Sequence, residues 1–332
     1  MSQQSVAVSP RVTRGDTVMF WAVRVVATLA VVVTVWAAVS TGAMLVHGHP
    51  AYVVLLAVTL VVAVLVAVRA WLRRRPVHRR HKVITGILLV LSLIMVAIVA
   101  WLVPSSAQQP ALAAMTSDAA TSDSAVTVSE TPTEIVLTPS GAGASVSDTG
   151  VFFQPGAKVD ARAYAAVLRP LAEAGRLVVI PKQPFGIAFL STGAFDAARS
   201  QYPEVTQWVV GGHSLGGTVA AMDAQAYAGA ASEPVVGLLL FASYPATDMS
   251  GLDAQVLSIS GSNDGLATPA KIDASKSSLP PDTDYVVVEG GVHAFFGDYG
   301  PQQGDGTPTI THDAARTQIS AAAVAFVNGL SG

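Results

Sequence analysis

Long apolar runs separated by short polar segments dominate the first third of the chain. The runs cover about residues 25–46, 51–68 and 83–103, and each is long enough to cross a bilayer as a helix. We expect Arg24, just before the first run, to reach the lipid headgroups. A cleaved signal peptide fits the first run less well, because the run is long and lacks a clear cleavage site. The pattern predicts a membrane anchor with three transmembrane helices over residues 1–103.

Beyond residue 103 the hydrophobic pattern changes twice. Residues 104–132 are rich in Ser, Ala and Thr, which predicts a flexible linker. From residue 133 onward, short apolar runs of strand type alternate with helical patterns, and Glu134–Thr138 is expected to form an edge strand. This alternation predicts an α/β fold over residues 133–332, with a doubly wound, mostly parallel sheet and helices on both faces.

Charge is distributed unevenly along the 332 residues. The net charge is +9 over residues 1–103 and −12 over residues 104–332. Seven basic residues lie between Arg69 and Lys82, and such loops stay in the cytoplasm. The pattern therefore predicts a multi-pass cell-membrane protein with a cytoplasmic N-terminus and an extracytoplasmic second half. The chain has no cysteine, which excludes disulfides and thiolate metal sites.

One heptapeptide carries the strongest chemical signal. Gly211-Gly212-His213-Ser214-Leu215-Gly216-Gly217 contains G-x-S-x-G between an apolar run of strand type and a helical pattern. In this context the motif forms a tight turn that exposes a serine nucleophile, Ser214. The amide of Leu215, at the start of the helix, is predicted to donate to an oxyanion.

A serine nucleophile requires a base and an acid, which follow it in the order Ser, acid, His on this type of scaffold. His293 directly follows the last predicted strand and is the expected base, whereas His312 lies beside a helix start and suits a surface role. Asp264, in the loop after the strand Val256–Ser260, is the expected acid. Asp248, after the preceding strand, remains the alternative.

The oxyanion also requires a second backbone donor. The loop after the first buried strand reads Phe153-Gln154-Pro155-Gly156-Ala157. We predict the amide of Ala157 as this donor, with Gly156 as the alternative.

Together these segments resemble the α/β-hydrolase superfamily, in particular a poorly characterised group of serine hydrolase-like domains. The resemblance covers about residues 150–320 and extends to His293-Ala294-Phe295-Phe296-Gly297-Asp298-Tyr299-Gly300. It implies a hydrolase with the triad Ser214, Asp264 and His293, no cofactor and no metal. Val292 stands where relatives often have Asn, and Gln154-Pro155 stands where they often have His-Gly.

The leading functional hypothesis is a membrane-tethered extracytoplasmic serine hydrolase that acts on small-molecule carboxylic esters or acyl compounds. An acyltransferase or peptidase on the same scaffold is a second possibility, and a non-catalytic binding domain is a third. The acidic second half argues against nucleic acid as a partner, whereas the N-terminal helices require a lipid bilayer.

The predicted connection between two strands bears on substrate size. Only Ala242–Ala254 separates the strand that ends at Phe241 from the next, and 13 residues are too few for a cap domain. The apolar segment Gln183–Leu190, with Phe295 and Phe296, is expected to border an open cleft. Its residues could instead pack in the core.

Overall fold

A computed structural model describes residues 11–76, 81–116, 125–140 and 146–330. The chain divides into two compact units, which are described separately. The first comprises Met1–Leu45 and Ala51–Val103, and the second comprises Val46–Pro50 and Pro104–Gly332.

The first unit is helical. Its long helices are α1 (Arg14–Thr41), α3 (Pro50–Leu72) and α4 (Lys82–Trp101), and a short helix, α2 (Met44–His47), follows α1. The three long helices are apolar and long enough to be candidate membrane spans. The first ends at Thr41, five residues before the predicted end of its apolar run, because the chain turns at Gly42.

Arg24 of α1 bonds to the end of α3. Its side chain is buried, and it donates hydrogen bonds to the carbonyl oxygens of Ala70 and Arg73 at the end of α3. Its guanidinium lies 3.8 Å from the ring centroid of Phe20. The guanidinium thus satisfies carbonyl groups that have no partner within their own helix.

The second unit contains an eight-stranded sheet with strand order β1-β2-β4-β3-β5-β6-β7-β8. β1 and β2 are antiparallel to their neighbours, and the other pairs are parallel. The strands are β1 (Val126–Glu130), β2 (Glu134–Pro139), β3 (Thr149–Gln154), β4 (Val178–Pro181), β5 (Gln207–His213), β6 (Val235–Phe241), β7 (Gln255–Gly261) and β8 (Asp284–Val288). The helices are α5 (Ala111–Ala114), α6 (Ala165–Glu173), α7 (Ala194–Gln201), α8 (Leu215–Tyr227), α9 (Pro269–Ser275) and α10 (His312–Gly329).

Both faces of this sheet are covered. On one face Phe153 belongs to a core that includes Leu168 of α6 and Val327 of α10. On the other face Phe152 belongs to a core that includes Phe195 of α7 and Ala220 of α8. Successive side chains of a strand point to opposite faces, so neighbouring residues of β3 contribute to different cores. The predicted doubly wound, mostly parallel α/β fold is confirmed.

The structure differs from the predicted linker over residues 104–132. β1 lies within this stretch and pairs with β2. The strand at Glu134–Pro139 was predicted at the edge of the sheet, but β1 takes that position. Val126 of β1 is fully buried. Earlier in the stretch, the Ser105 amide donates to the Lys158 carbonyl at 2.7 Å. Composition suggested a tether, but the alternating Val and Ser/Thr residues of β1 favour a strand with one apolar face.

The connection from β6 to β7 remains short. Residues 242–254 contain neither helix nor strand, as expected for a chain without a cap inserted at this point.

Candidate active site

Ser214 lies in the turn between β5 and α8, at the carboxyl end of the sheet. Its backbone has φ 53° and ψ −122°, a strained conformation for a residue with a side chain. A Cβ at Gly212 would collide with the backbone of Gly216, and one at Gly216 would collide with the carbonyl oxygens of Gln154 and Pro155. The close approach explains both glycines of the motif. It also places the start of α8 against the loop after β3.

The backbone of this turn is supported by a neighbouring strand end. Ser243, just after β6, donates its hydroxyl hydrogen to the Ser214 carbonyl at 2.6 Å. The Ser214 amide donates to the Phe241 carbonyl at 3.0 Å. Leu215 is the first residue of α8, so its amide has no acceptor within the helix.

Asp264 and His293, predicted as acid and base, lie together. Asp264 Oδ2 is 2.8 Å from His293 Nδ1, and both side chains are almost fully buried. The other carboxylate oxygen of Asp264 accepts hydrogen bonds from the amides of Leu266, at 2.7 Å, and Ala267, at 2.8 Å. These bonds hold the carboxylate against the imidazole.

The alternative residues lie in other environments. Asp248 is exposed and accepts a hydrogen bond from the Ser250 amide. His312 begins α10, where its Nε2 lies 3.4 Å from Asp298 Oδ1 and its ring stacks on Phe295. Neither has a contact with Asp264 or His293 among the hydrogen bonds and ion pairs of the described residues.

The second nitrogen of His293 is the atom that a serine nucleophile would use. His293 Nε2 is buried and has no hydrogen-bond partner among the described residues. The His293 ring lies 4.6 Å, between centroids, from the ring of His213, the residue before Ser214. This places the imidazole beside the turn.

The loop after β3 contains the two predicted oxyanion donors. Gly156 donates its N–H to the Tyr164 hydroxyl at 2.9 Å, so this amide is occupied. No acceptor for the Ala157 amide is found in the part of the chain that the structure describes. Gln183 donates to the Pro155 carbonyl at 3.0 Å, and the Lys158 amide donates to the Gly186 carbonyl at 2.7 Å. These contacts fix the loop and leave Ala157 available.

Tyr164 connects this loop to the serine turn, a role that the sequence did not reveal. Its hydroxyl oxygen lies 2.8 Å from His213 Nδ1. Burial raises the pKa of Tyr164, and burial together with nearby His293 holds the pKa of His213 well below its usual range. The phenol therefore stays protonated. Its O–H donates a hydrogen bond to the neutral imidazole of His213, while its oxygen accepts a hydrogen bond from the Gly156 N–H. No local pattern predicts these contacts, because Gly156, Tyr164 and His213 lie in different elements of the fold.

The apolar segment near the turn divides into exposed and buried parts. Phe189 and Leu190 are 46% and 55% exposed, so they are available to substrate rather than packed in the core. Phe295 is half-buried against His312, whereas Phe296 is fully buried and packs against Phe241. Phe296 therefore belongs to the core, contrary to its predicted place beside a cleft.

The described residues contain no group of three or more His, Asp or Glu side chains arranged to hold a metal ion.

Solved structures of several hydrolases are similar to this chain. An esterase from Thermogutta terrifontis, with butyrate bound, is 15% identical, with a TM-score of 0.44 over 62% of this chain and 95% of the esterase. The same organism's esterase 2 phosphorylated by paraoxon is 14% identical, with a TM-score of 0.46 over 62% of this chain and 95% of that chain. A predicted CIB-like hydrolase from Thermoplasma acidophilum is 14% identical, with a TM-score of 0.45 over 61% and 99%.

No curated protein matches the chain. A family model does match. The model described as "Alpha/beta hydrolase family" aligns with residues 150–317, just over half of the chain, from β3 to within α10. The matched region includes the serine turn, the Asp264 loop and His293. The chain belongs to the alpha/beta hydrolase family.

Proposed function

We propose that this protein is a membrane-tethered serine hydrolase of carboxylic esters, with Ser214, His293 and Asp264 as its catalytic triad. The observation that carries the proposal is the buried 2.8 Å contact between Asp264 and His293 beside the strained turn of Ser214. A carboxylate, an imidazole and a serine in this order suit acyl transfer through a covalent intermediate.

In the proposed reaction, Ser214 Oγ attacks the ester carbonyl carbon and His293 Nε2 accepts the hydroxyl proton. Asp264 accepts a hydrogen bond from the Nδ1–H group of His293. This bond keeps Nε2 free to act as base and stabilises the imidazolium. The carbonyl oxygen becomes negatively charged and accepts hydrogen bonds from the amides of Leu215 and Ala157.

The tetrahedral intermediate then collapses. The bond to the alcohol oxygen breaks, and His293 returns the proton to the leaving alcohol, which leaves an acyl group on Ser214. Water attacks this acyl-enzyme with His293 again as base, the bond between the acyl carbon and Ser214 Oγ breaks, Oγ takes the proton back from His293, and the carboxylic acid departs. Transfer to another alcohol or amine would use the same intermediate, so the ratio of acid to transfer product decides between a hydrolase and an acyltransferase.

Hydrolysis of p-nitrophenyl butyrate by the full-length protein in detergent tests this proposal. Wild type should release p-nitrophenol, and S214A should fall to the level of the detergent blank or to a small residual rate. S200A is the matched control, because Ser200 is exposed on α7 and its hydroxyl donates to the Asp196 carbonyl, so this variant should keep wild-type turnover. Equal turnover by wild type and S214A would contradict the proposal.

The extracytoplasmic orientation is also a proposal, supported by the basic segment between α3 and α4. Because the chain has no cysteine, single cysteines report accessibility without background. A membrane-impermeant maleimide added to intact cells should label A231C, in the hydrolase unit, but label R74C only after lysis. Both positions are exposed. The reverse pattern would overturn the orientation.

A further inference from the structure

We propose that Asp305 is a positioning residue that fixes the loops of Asp264 and His293 relative to each other. The inference rests on the proposed function, since it concerns the geometry of that triad. Asp305 lies in the connection between β8 and α10, outside every motif that the sequence suggested.

The Asp305 carboxylate accepts hydrogen bonds from two separate segments. Oδ1 accepts the His293 amide at 3.0 Å and Oδ2 accepts the Ala294 amide at 2.8 Å. Oδ1 also accepts the Gly265 amide at 3.2 Å and the Gly306 amide at 2.7 Å. Gly265 directly follows Asp264. One side chain thus bonds the backbone of the base and the backbone next to the acid.

The segment around Asp305 packs tightly on the acid loop. A Cβ at Gly306 would collide with the carbonyl oxygen of Asn263, so the two backbones are in direct contact. Asn263 donates from Nδ2 to the Thr307 carbonyl at 2.9 Å. The Thr309 amide donates to the Gly290 carbonyl at 3.0 Å, which ties the same segment to the chain before His293. These contacts hold the carboxylate in place.

The charge and shape of the side chain both contribute to this role. His293 and Ala294 begin a short 3₁₀ turn, and the first amides of such a turn need acceptors from outside it. A carboxylate supplies two acceptor oxygens, whereas an amide of the same shape supplies only one and adds an NH₂ donor. D305N would therefore keep the volume but lose one acceptor, and its NH₂ group would oppose the Ala294 N–H at the Oδ2 position or three N–H donors at the Oδ1 position.

Asp305 has no contact with the side chains of Asp264 or His293 among the hydrogen bonds of the described residues, so it acts through the backbone. Small displacements of a catalytic group reduce the rate of the chemical step more than they reduce substrate binding. Loss of Asp305 should therefore lower kcat with little change in KM.

The test compares full-length wild type, D305N, D305A and D313N in detergent with p-nitrophenyl butyrate. D313N is the matched control, because Asp313 is exposed on α10 and pairs with Arg316. D305N should lower kcat about 10-fold or more with KM within about threefold, and D313N should match wild type. Thermal unfolding must show that each variant is folded at the assay temperature; if D305A is not, D305N alone decides.

Hydrogen exchange provides a readout that does not depend on activity. Peptides that cover Gly265 and His293 should exchange faster in D305N than in wild type, while peptides from α8 should not. Unchanged exchange at these peptides, or faster exchange with an unchanged kcat, would overturn the role of Asp305. An inactive wild type would instead count against the proposed function, and the exchange data would still decide whether Asp305 links the two loops.

Discussion

His293 Nδ1 and Asp264 Oδ2 lie 2.8 Å apart in a region that is almost fully closed to solvent. Because the other oxygen of Asp264 is held by two backbone amides, the carboxylate has little freedom to turn away from the imidazole. The pair thus holds the His293 imidazole in a fixed orientation beside the serine turn.

Replacement of the acid tests the function of this contact. D264N should lower kcat by about three to four orders of magnitude, because the amide can donate to Nδ1 and stabilise the wrong tautomer. D248N is the matched control, since Asp248 is exposed and accepts a hydrogen bond from Ser250 in its own turn, and its kcat should stay within about twofold of wild type. The rate of ester hydrolysis gives kcat for both variants. A larger loss in D248N than in D264N would assign the acid to Asp248.

Removal of the Tyr164 hydroxyl should affect both stability and turnover. In Y164F the Gly156 amide and His213 Nδ1 lose a buried partner, and each such loss destabilises by about 1–3 kcal/mol. The loop that carries Ala157 would also be less well fixed, so we expect kcat to fall about 10-fold with a smaller change in KM.

Y202F is the control for Y164F. The Tyr202 hydroxyl donates to Glu134 Oε1 at 2.7 Å, away from the serine turn. Y202F should lower the melting temperature without a comparable loss of kcat. If Y164F and Y202F lower kcat equally at equal stability, Tyr164 has no specific link to the site.

Asp223, on α8, should make stability depend on pH. Burial raises the pKa of Asp223 to about 7. Its pKa in the unfolded chain is about 4, so the folded protein binds an extra proton between these values. The resulting stabilisation is complete below about pH 4 and is lost as pH rises through about 7, and its upper limit is about 4 kcal/mol.

Thermal unfolding of the full-length protein at pH 5 and pH 8 measures this effect. The melting temperature of wild type should be lower at pH 8 than at pH 5. The melting temperature of D223N should fall less, because Asn mimics the protonated acid. The exposed residue Asp253 supplies a control, D253N, that should follow wild type. An equal decrease in melting temperature from pH 5 to pH 8 in wild type and D223N would rule out a contribution from Asp223.

The acyl chain of the substrate should be short to medium in length. Phe189 and Leu190 are exposed and the β6–β7 connection lacks a helix, which favours an open apolar cleft over a deep tunnel. A methylene contributes about 0.8 kcal/mol only while it is buried. Across p-nitrophenyl esters from acetate to palmitate, kcat/KM should peak at or below about eight carbons. A steady rise to palmitate would contradict the open cleft.

The sequence predicted those features that local patterns encode. Alternating strands and helices gave the sheet, and the position of His293 after the last strand placed it near Asp264, because parallel strands end at the same edge. β1 was missed because five residues in a Ser/Thr-rich stretch resemble a tether until their partner strand is known. Tyr164 and Asp305 were missed for a related reason. Their partners lie in other loops, and no local pattern specifies such contacts.

The central claim, that Ser214 is an activated nucleophile, is tested most directly by a fluorophosphonate probe. Such a probe forms a covalent bond with a serine only where a base and an oxyanion site activate it. The full-length protein should be labelled on the peptide that contains Ser214, as read by mass spectrometry, and labelling should disappear in S214A and slow strongly in D264N. A folded wild-type protein that remains unlabelled, or that is labelled equally in S214A, would contradict the account.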